Sequence, residues 1–226
     1  MKTMNKILIA NRGEIAVRVI RTARDLGFRT VAVYSEADAG ALHVQEADQA
    51  VCIGAAAVGE SYLVPEKILD AAKRTGADAI HPGYGFLSEN AAFAEACEKA
   101  DIIFIGPRSD AINLMGSKRL SKIAMLEADV PCIPGYQGAD QSEDVLLAKA
   151  LEVGFPLMVK ASAGGGGRGM RLVFEESELA EQIRTARSEA ESAFGSGELI
   201  LERAVIEPRH IEIQVFADEH GNAVYL

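Results

Sequence analysis

The sequence is poor in the features that mark specialised protein classes. Its only cysteines are Cys52, Cys97 and Cys132. They are far apart, odd in number and without metal-ligand spacing, and each sits in an apolar context. That excludes a disulfide framework and a cysteine-built metal centre, and reads as reduced core residues of a cytoplasmic protein. Positive charge is scarce as well: 23 Lys and Arg face 33 Asp and Glu, a net charge of -10, and no dense basic stripe reverses the balance locally. Nucleic acid and anionic membrane surfaces are therefore excluded as main partners. Long apolar runs are missing too. The first, "ILIA", stops at Asn11 and Arg12, too short for a signal segment, and no later run is long enough to span a bilayer. There are no internal repeats.

What remains is an ordinary globular composition, 226 residues with 49% hydrophobic and 25% charged content, enough for one large domain or two small ones. The first half alternates. "KILIA" predicts a buried strand, "EIAVRVIRTARDLG" an amphipathic helix with Ile15, Val19, Ala23 and Leu26 as its apolar positions, and "RTVAVYS" the next strand. The rhythm continues through strand "QAVCIG", helix "PEKILDAAKRTG", strand "ADAIHPG", helix "ENAAFAEACEKA" and strand "IIFIGP". Short apolar strands separated by helices predict a parallel sheet covered on both faces. After Pro107 come two helical stretches, then "VPCIPGYQGADQS", which reads as a linker. A helix over "SEDVLLAKALEVG" and strands "PLMVKAS" and "MRLVF" follow. Then come a long helix, "ESELAEQIRTARSEAESAFG", and strands "ELILERA", "RHIEIQVFAD" and "NAVYL", the last two joined by a turn at "EHGN".

Between two of those strands stands "GGGGRG", Gly164 to Gly169. Its glycines satisfy G-x-G-x-x-G, but a strand follows where a dinucleotide fingerprint requires a helix, and no Gly-Lys-Ser/Thr makes it a P-loop. What is left is a hairpin whose tip lacks side chains, so its amide groups can approach an anion. Lys160 enters the tip and Arg168 lies within it, which favours a phosphate-covering flap over a merely mobile turn. In "RHIEIQVF" the expected strand puts His210, Glu212 and Gln214 on one face, a cleft lining or a solvated surface. Glu202, beside exposed backbone, offers an acceptor to an adenine amino group. Lys118 offers another charge near a helix start, where lysines are usually only solvated. In "HPGYGFLSEN" two glycines bracket Tyr84 just after a strand, where open parallel sheets place ligands; an ordinary strand-to-helix turn, with His81 a satisfied polar residue, is the alternative.

Taken together, "ILIANRGEIAVRVIR", "AIHPGYGFLSENAAFA", "FIGP", "LMGSK", "VPCIPG", "KASAGGGGRGM" and "EPRHIEIQVFAD" resemble the N-terminal part of a biotin carboxylase, the ATP-grasp component of biotin-dependent acyl-CoA carboxylases. The motifs occur in the family's order across essentially the whole chain. The resemblance implies an α/β fold: a Rossmann-like, pre-ATP-grasp domain over residues 1–115, then an incomplete ATP-grasp α+β domain over 116–226 with a flap subdomain at about 135–204. It implies an ATP-dependent ligase that phosphorylates bicarbonate to carboxyphosphate and carboxylates biotin on a carrier protein, with Mg²⁺ bridging ATP oxygens.

Carried over by position, the resemblance sets Lys118 and Lys160 on the ATP phosphates, Gly166 and Gly167 over them, and Met170 near the adenine. Glu202, Arg203, Ala204 and Val205 form the adenine-reading connection, His210 reaches the ribose, and Tyr84 lies beside biotin. Implied partners are a biotin carboxyl carrier domain, a carboxyltransferase subunit and bicarbonate. A homodimer contact is implied through the first domain, with Arg21 and Asp25 in its place and Asp25 shorter than the usual Glu. The family's metal-binding glutamates, bicarbonate-binding residues and biotin-steadying arginine find no match in these 226 residues, so the expectation is a chain that does not complete catalysis alone. "IPGYQGADQ" and "RHIEIQVFADEHGN" are similar to carboxylases of methylcrotonyl- or geranyl-CoA. Two other readings are a non-catalytic oligomerisation or assembly module derived from a carboxylase, and an NAD-dependent oxidoreductase; the single glycine of "ANRGEIA" disfavours the second.

Overall fold

The computed structural model describes residues 4–164, 167–218 and 220–226. The chain divides into two compact units, Met1–Ser121 and Lys122–Leu226.

In the first unit the alternation folds as expected. Strands β1 (Lys6–Ile9), β2 (Arg29–Ser35), β3 (Gln49–Gly54), β4 (Ala79–His81) and β5 (Ile103–Phe104) form one parallel sheet in the order β3-β2-β1-β4-β5. The connecting helices are α1 (Gly13–Asp25), α2 (Leu42–Glu46), α3 (Pro65–Thr75) and α4 (Ala91–Lys99), with α5 (Ser109–Gly116) after the last strand. Alternate residues of the central strand serve opposite faces. Leu8 joins Val31, Val33, Ile68, Ile80 and Phe93 on one side, while Ile7 and Ile9 join Ala16, Ile20 and Ala79 on the other. Both faces are dry, which is why the strands are apolar throughout. Pro65 opens α3 and left-handed Gly76 closes it, and the Asn90 side chain caps α4 by accepting from the Phe93 amide at 2.8 Å, as the geometry of helix ends requires.

The stripe that α1 buries is rotated from the expected one. Ala16, Val17, Ile20 and Ala23 face the core, whereas Leu26 is 68% exposed. Val19 and Leu26 instead line a groove of about 310 Å³ with Met4, Phe28, Tyr84 and Ile105. The expectation for cysteine also needs correction: Cys97 is core, but Cys52 is exposed and Cys132 half-buried.

A buried carboxylate ties the sheet to the start of α1. Asp38 accepts from Arg12 Nε at 2.7 Å and from Arg12 Nη2, from the Tyr62 hydroxyl at 2.6 Å and from Ser35 Oγ at 3.1 Å. The Arg12 bonds, helped by those of Tyr62 and Ser35, outweigh burial and hold its pKa well below the ordinary carboxylate range.

The second unit holds an antiparallel sheet in the order β6-β9-β7-β8: β6 (Gly135–Tyr136), β7 (Leu157–Ala161), β8 (Met170–Val173) and β9 (Leu199–Arg203). Helix α6 (Lys118–Glu127) precedes it in the chain, and α7 (Glu143–Val153) and α8 (Glu176–Phe194) cover one face. Leu146, Leu157, Val159, Ile183, Leu199 and Leu201 form that core. The stretch expected to be a linker therefore contributes a strand, because Gly135 and Tyr136 pair with Glu202 and Leu201. The strand expected over "RHIEIQVFAD" is also corrected. Only β10 (Val215–Ala217) is a strand there, paired with β11 (Ala223–Tyr225), while residues 204–214 have no regular structure.

Asp38 generates a stability prediction. Its folded carboxyl titrates below its unfolded value of about 3.9, so its contribution is complete above that pH and is lost as the pH falls below it. Asp38→Asn is expected to cost about 1–3 kcal/mol at pH 7 and to flatten the acid side of the stability profile, measured by urea unfolding from pH 2.5 to 7.

Candidate nucleotide site

The hairpin β7–β8 is built as the sequence indicates, with Leu157 opposite Val173 and Lys160 opposite Met170. Because strand residues alternate, Leu157, Val159 and Ala161 enter the core against α7 and α8 while Met158 and Lys160 take the other face. The register extends that face across the sheet: Met170 and Ile200 flank Lys160, and Leu172 and Glu202 flank Met158. Lys160, Met170 and Glu202 are thereby brought together, at the base of the glycine turn.

Glu202 is the electrostatic centre of this face. Its Oε2 accepts from Lys160 Nζ at 2.6 Å and its Oε1 from Lys122 Nζ at 2.7 Å. Lys122 also donates to the Ile133 carbonyl at 2.6 Å. Burial alone would raise the Glu202 pKa, but the bonds from Lys122 and Lys160 prevail and hold it below its ordinary value. Two ammonium groups against one carboxylate leave one positive charge in excess. Lys122 escaped the sequence reading, since a lysine within an amphipathic helix ordinarily points to water and its partner lies 80 residues away.

The carboxylate assigned to an adenine amino group is thus engaged by lysines. The amides of Arg203 and Ala204 are engaged as well, donating to the carbonyls of Pro134 and Pro156 at 2.9 Å each. Val205, the next residue, is exposed.

Around the glycine turn the structure separates two roles. Gly169 sits at φ +67°, and a Cβ there would come within 2.8 Å of the Ala161 methyl; its carbonyl accepts from the Ala161 amide at 2.8 Å. A Cβ on Gly164 would strike the Phe194 ring. These two glycines fit the hairpin to its supports. Gly167 is exposed and faces open space, as a residue free to approach a ligand does. Gly166 lies outside the described residues. Arg168 does not join Lys160: it lines an open groove with Arg184, Thr185, Ser188 and Glu189 along α8, on the core-helix side of the sheet.

His210 is 84% exposed and lies 3.3 Å from Glu212, so the described residues form no polar strand face there. In the other unit, Tyr84 is 59% exposed on a turn at the C-terminal end of β4. Asn11 shapes that turn, donating from Nδ2 to the carbonyls of Pro82 at 2.8 Å and Tyr84 at 2.9 Å. A Cβ on Gly83 would meet the same Nδ2 at 2.6 Å. His81, whose ring burial lowers its pKa, accepts from the Gly83 amide at 3.0 Å. Lys118 is half-buried at the first position of α6. Among the described residues no group of three His, Cys, Asp or Glu side chains is arranged to hold a metal ion.

A doubly covered parallel sheet followed by a lysine-bearing antiparallel sheet with a glycine hairpin is the arrangement of ATP-grasp carboxylases, and comparison with known proteins agrees. Residues 3–112 match the family described as "Biotin carboxylase, N-terminal domain", and residues 117–226 match "Carbamoyl-phosphate synthase L chain, ATP binding domain". The mitochondrial methylcrotonoyl-CoA carboxylase subunit alpha of Dictyostelium discoideum is 57% identical over 226 residues, all of this chain and 32% of that protein. Biotin carboxylase 1 of Bacillus subtilis is 52% identical over 99% of this chain and 50% of its own length. Among solved structures, the biotin carboxylase of Campylobacter jejuni in its β,γ-ATP complex superposes with a TM-score of 0.95 at 49% identity, covering 99% of this chain and 50% of that one. The biotin carboxylase domain dimer of Hydrogenobacter thermophilus 2-oxoglutarate carboxylase, with MgADP and bicarbonate, gives 0.94 at 48%, covering 100% and 49%. The chain belongs to the biotin carboxylase family and corresponds to the N-terminal part of it. It spans 32% to 50% of the length of these relatives.

The buried carboxylate supports a stability test. Glu202→Ala leaves Lys122 buried without its counter-charge and is expected to cost about 3 kcal/mol, read as a lowered urea midpoint at unchanged m-value.

Proposed function

We propose that the second unit holds an adenine nucleotide on the Lys160 face of its sheet, as the nucleotide-binding part of an ATP-dependent biotin carboxylase. The observation that carries this reading is the pair of lysines on Glu202, one more positive charge than negative, with Lys160 opposite Met170 at the base of the glycine hairpin. Amide donors and a cation are what a polyphosphate needs. Lys160 and Lys118 serve the phosphates, Gly166 and Gly167 cover them, and Met170 packs on the base. The connection from Glu202 to Val205 reads the base through its backbone, with Val205 as the donor left by the engagement of Arg203 and Ala204, and His210 serves the ribose.

The domain division goes with it: residues 1–115 as the Rossmann-like part, 116–226 as the ATP-grasp part, and 135–204 as the flap subdomain. The exposed Tyr84 offers an aromatic face to biotin carried by a carrier domain. The whole reaction proposed is ATP- and bicarbonate-dependent carboxylation of biotin feeding a carboxyltransferase subunit, and our reading is that this chain does not complete it alone. Mg²⁺ finds no assembled carboxylate site among the described residues. A homodimer through the first unit involves Arg21 and Asp25; within the chain Arg21 already pairs with Glu46 at 2.6 Å. The acyl substrate is of the methylcrotonyl- or geranyl-CoA type, and the site of action is the cytoplasm, although relatives such as the Dictyostelium protein carry mitochondrial names. No helix among the described residues is long and apolar enough to cross a membrane.

Amide-resolved NMR titration with adenosine, ADP and ATP tests the nucleotide reading. ADP and ATP are expected to shift amides of residues 157–173 and 199–205 at lower concentration than adenosine, and Lys160→Ala to weaken ATP by roughly tenfold. If none of the three moves these amides, the nucleotide reading falls and an oligomerisation module is what remains.

A further inference from the structure

We infer that Lys122 is a positioning residue for polyphosphate binding: by holding Glu202 from its buried side, it lets Lys160 leave that carboxylate for an anion. This rests on the nucleotide reading above and deepens it.

The three side chains differ in what each can reach. Lys122 is 7% exposed and directs its ammonium to Glu202 Oε1 and the Ile133 carbonyl, so it touches no ligand. Lys160, on the face shared with Met170, is 23% exposed and holds the other oxygen. Glu202 itself is 12% exposed, and a carboxylate so placed is costly to leave without a partner. With Lys160 as its only counter-charge, the pair would be neutral, and drawing Lys160 toward a phosphate would strand a buried anion. With Lys122 in place, Glu202 keeps a cation at hydrogen-bonding distance whatever Lys160 does, and the surplus charge of the trio appears on its more accessible ammonium. The ligand favoured is a multiply charged phosphate chain, and uncharged adenosine gains nothing from the arrangement.

The test uses the full chain and its variants Lys122→Met, Lys122→Arg and Lys122→Met/Glu202→Gln, titrated with ATP, inorganic tripolyphosphate and adenosine. Lys122→Met is expected to weaken ATP and tripolyphosphate by roughly tenfold or more while leaving adenosine within about twofold. Lys122→Arg is expected to recover most of the loss. The double variant, which removes the carboxylate charge that would trap Lys160, is expected to recover it too, a reversal that a purely structural role for Lys122 does not produce. Equal phosphate affinity in wild type and Lys122→Met, or no recovery in the double variant, overturns the inference. If wild type binds no nucleotide, the nucleotide reading is the one that fails. The ¹³C titration of the Glu202 carboxyl then decides the electrostatic role: a midpoint moved upward in Lys122→Met supports it, and an unmoved midpoint overturns it.

Discussion

A carboxylate buried between two ammonium groups organises the second half of this protein. Glu202 is offered by the penultimate residue of β9, Lys160 by the neighbouring strand and Lys122 by a helix distant in sequence. None of the three would be stable in place alone, because each is an ion withdrawn from water. Their mutual satisfaction ties helix α6 to the face of the sheet opposite the α7–α8 core. Two residues that the biotin carboxylase resemblance assigns, Lys160 to the phosphates and Glu202 to the base, belong to this trio.

The first unit solves a different problem with similar means. Its sheet is apolar on both faces and so provides no polar site of its own. The polar groups gather where strands end, as Asp38 with Arg12 and Tyr62, and as Asn11 with the turn around Tyr84. Such ends are where the backbone of a parallel sheet is open to other groups.

Much of the fold was legible in the sequence because the signals were local. Five strands alternating with helices, the β7–β8 hairpin and the long α8 follow from periodicity and from glycine placement. The failures share a physical cause, dependence on a partner distant in the chain. Gly135 and Tyr136 are a strand only because β9 lies beside them, and a two-residue strand between prolines and glycines has no period to read. The alternation of "RHIEIQVF" suggested a strand, but strand formation requires a neighbour, and only Val215 to Ala217 have one. Ile15, Val19 and Leu26 satisfy a helical stripe as well as the buried Ala16, Val17, Ile20 and Ala23 do, so pattern alone could not choose between adjacent faces. Within the site, Lys160 and the glycines announced themselves, whereas Lys122 was invisible and Arg168 was misplaced, since nothing local says which side of a hairpin a tip residue takes.

The amide of Asn11 joins the end of β1 to the two carbonyls flanking Gly83, with its own strand neighbours on one side and the exposed Tyr84 on the other. The loop that presents this aromatic ring is therefore braced by two hydrogen bonds from the residue that follows β1 by two. A molecule arriving at the ring meets a surface already shaped, and the entropy of arranging that loop has been settled during folding rather than charged against association.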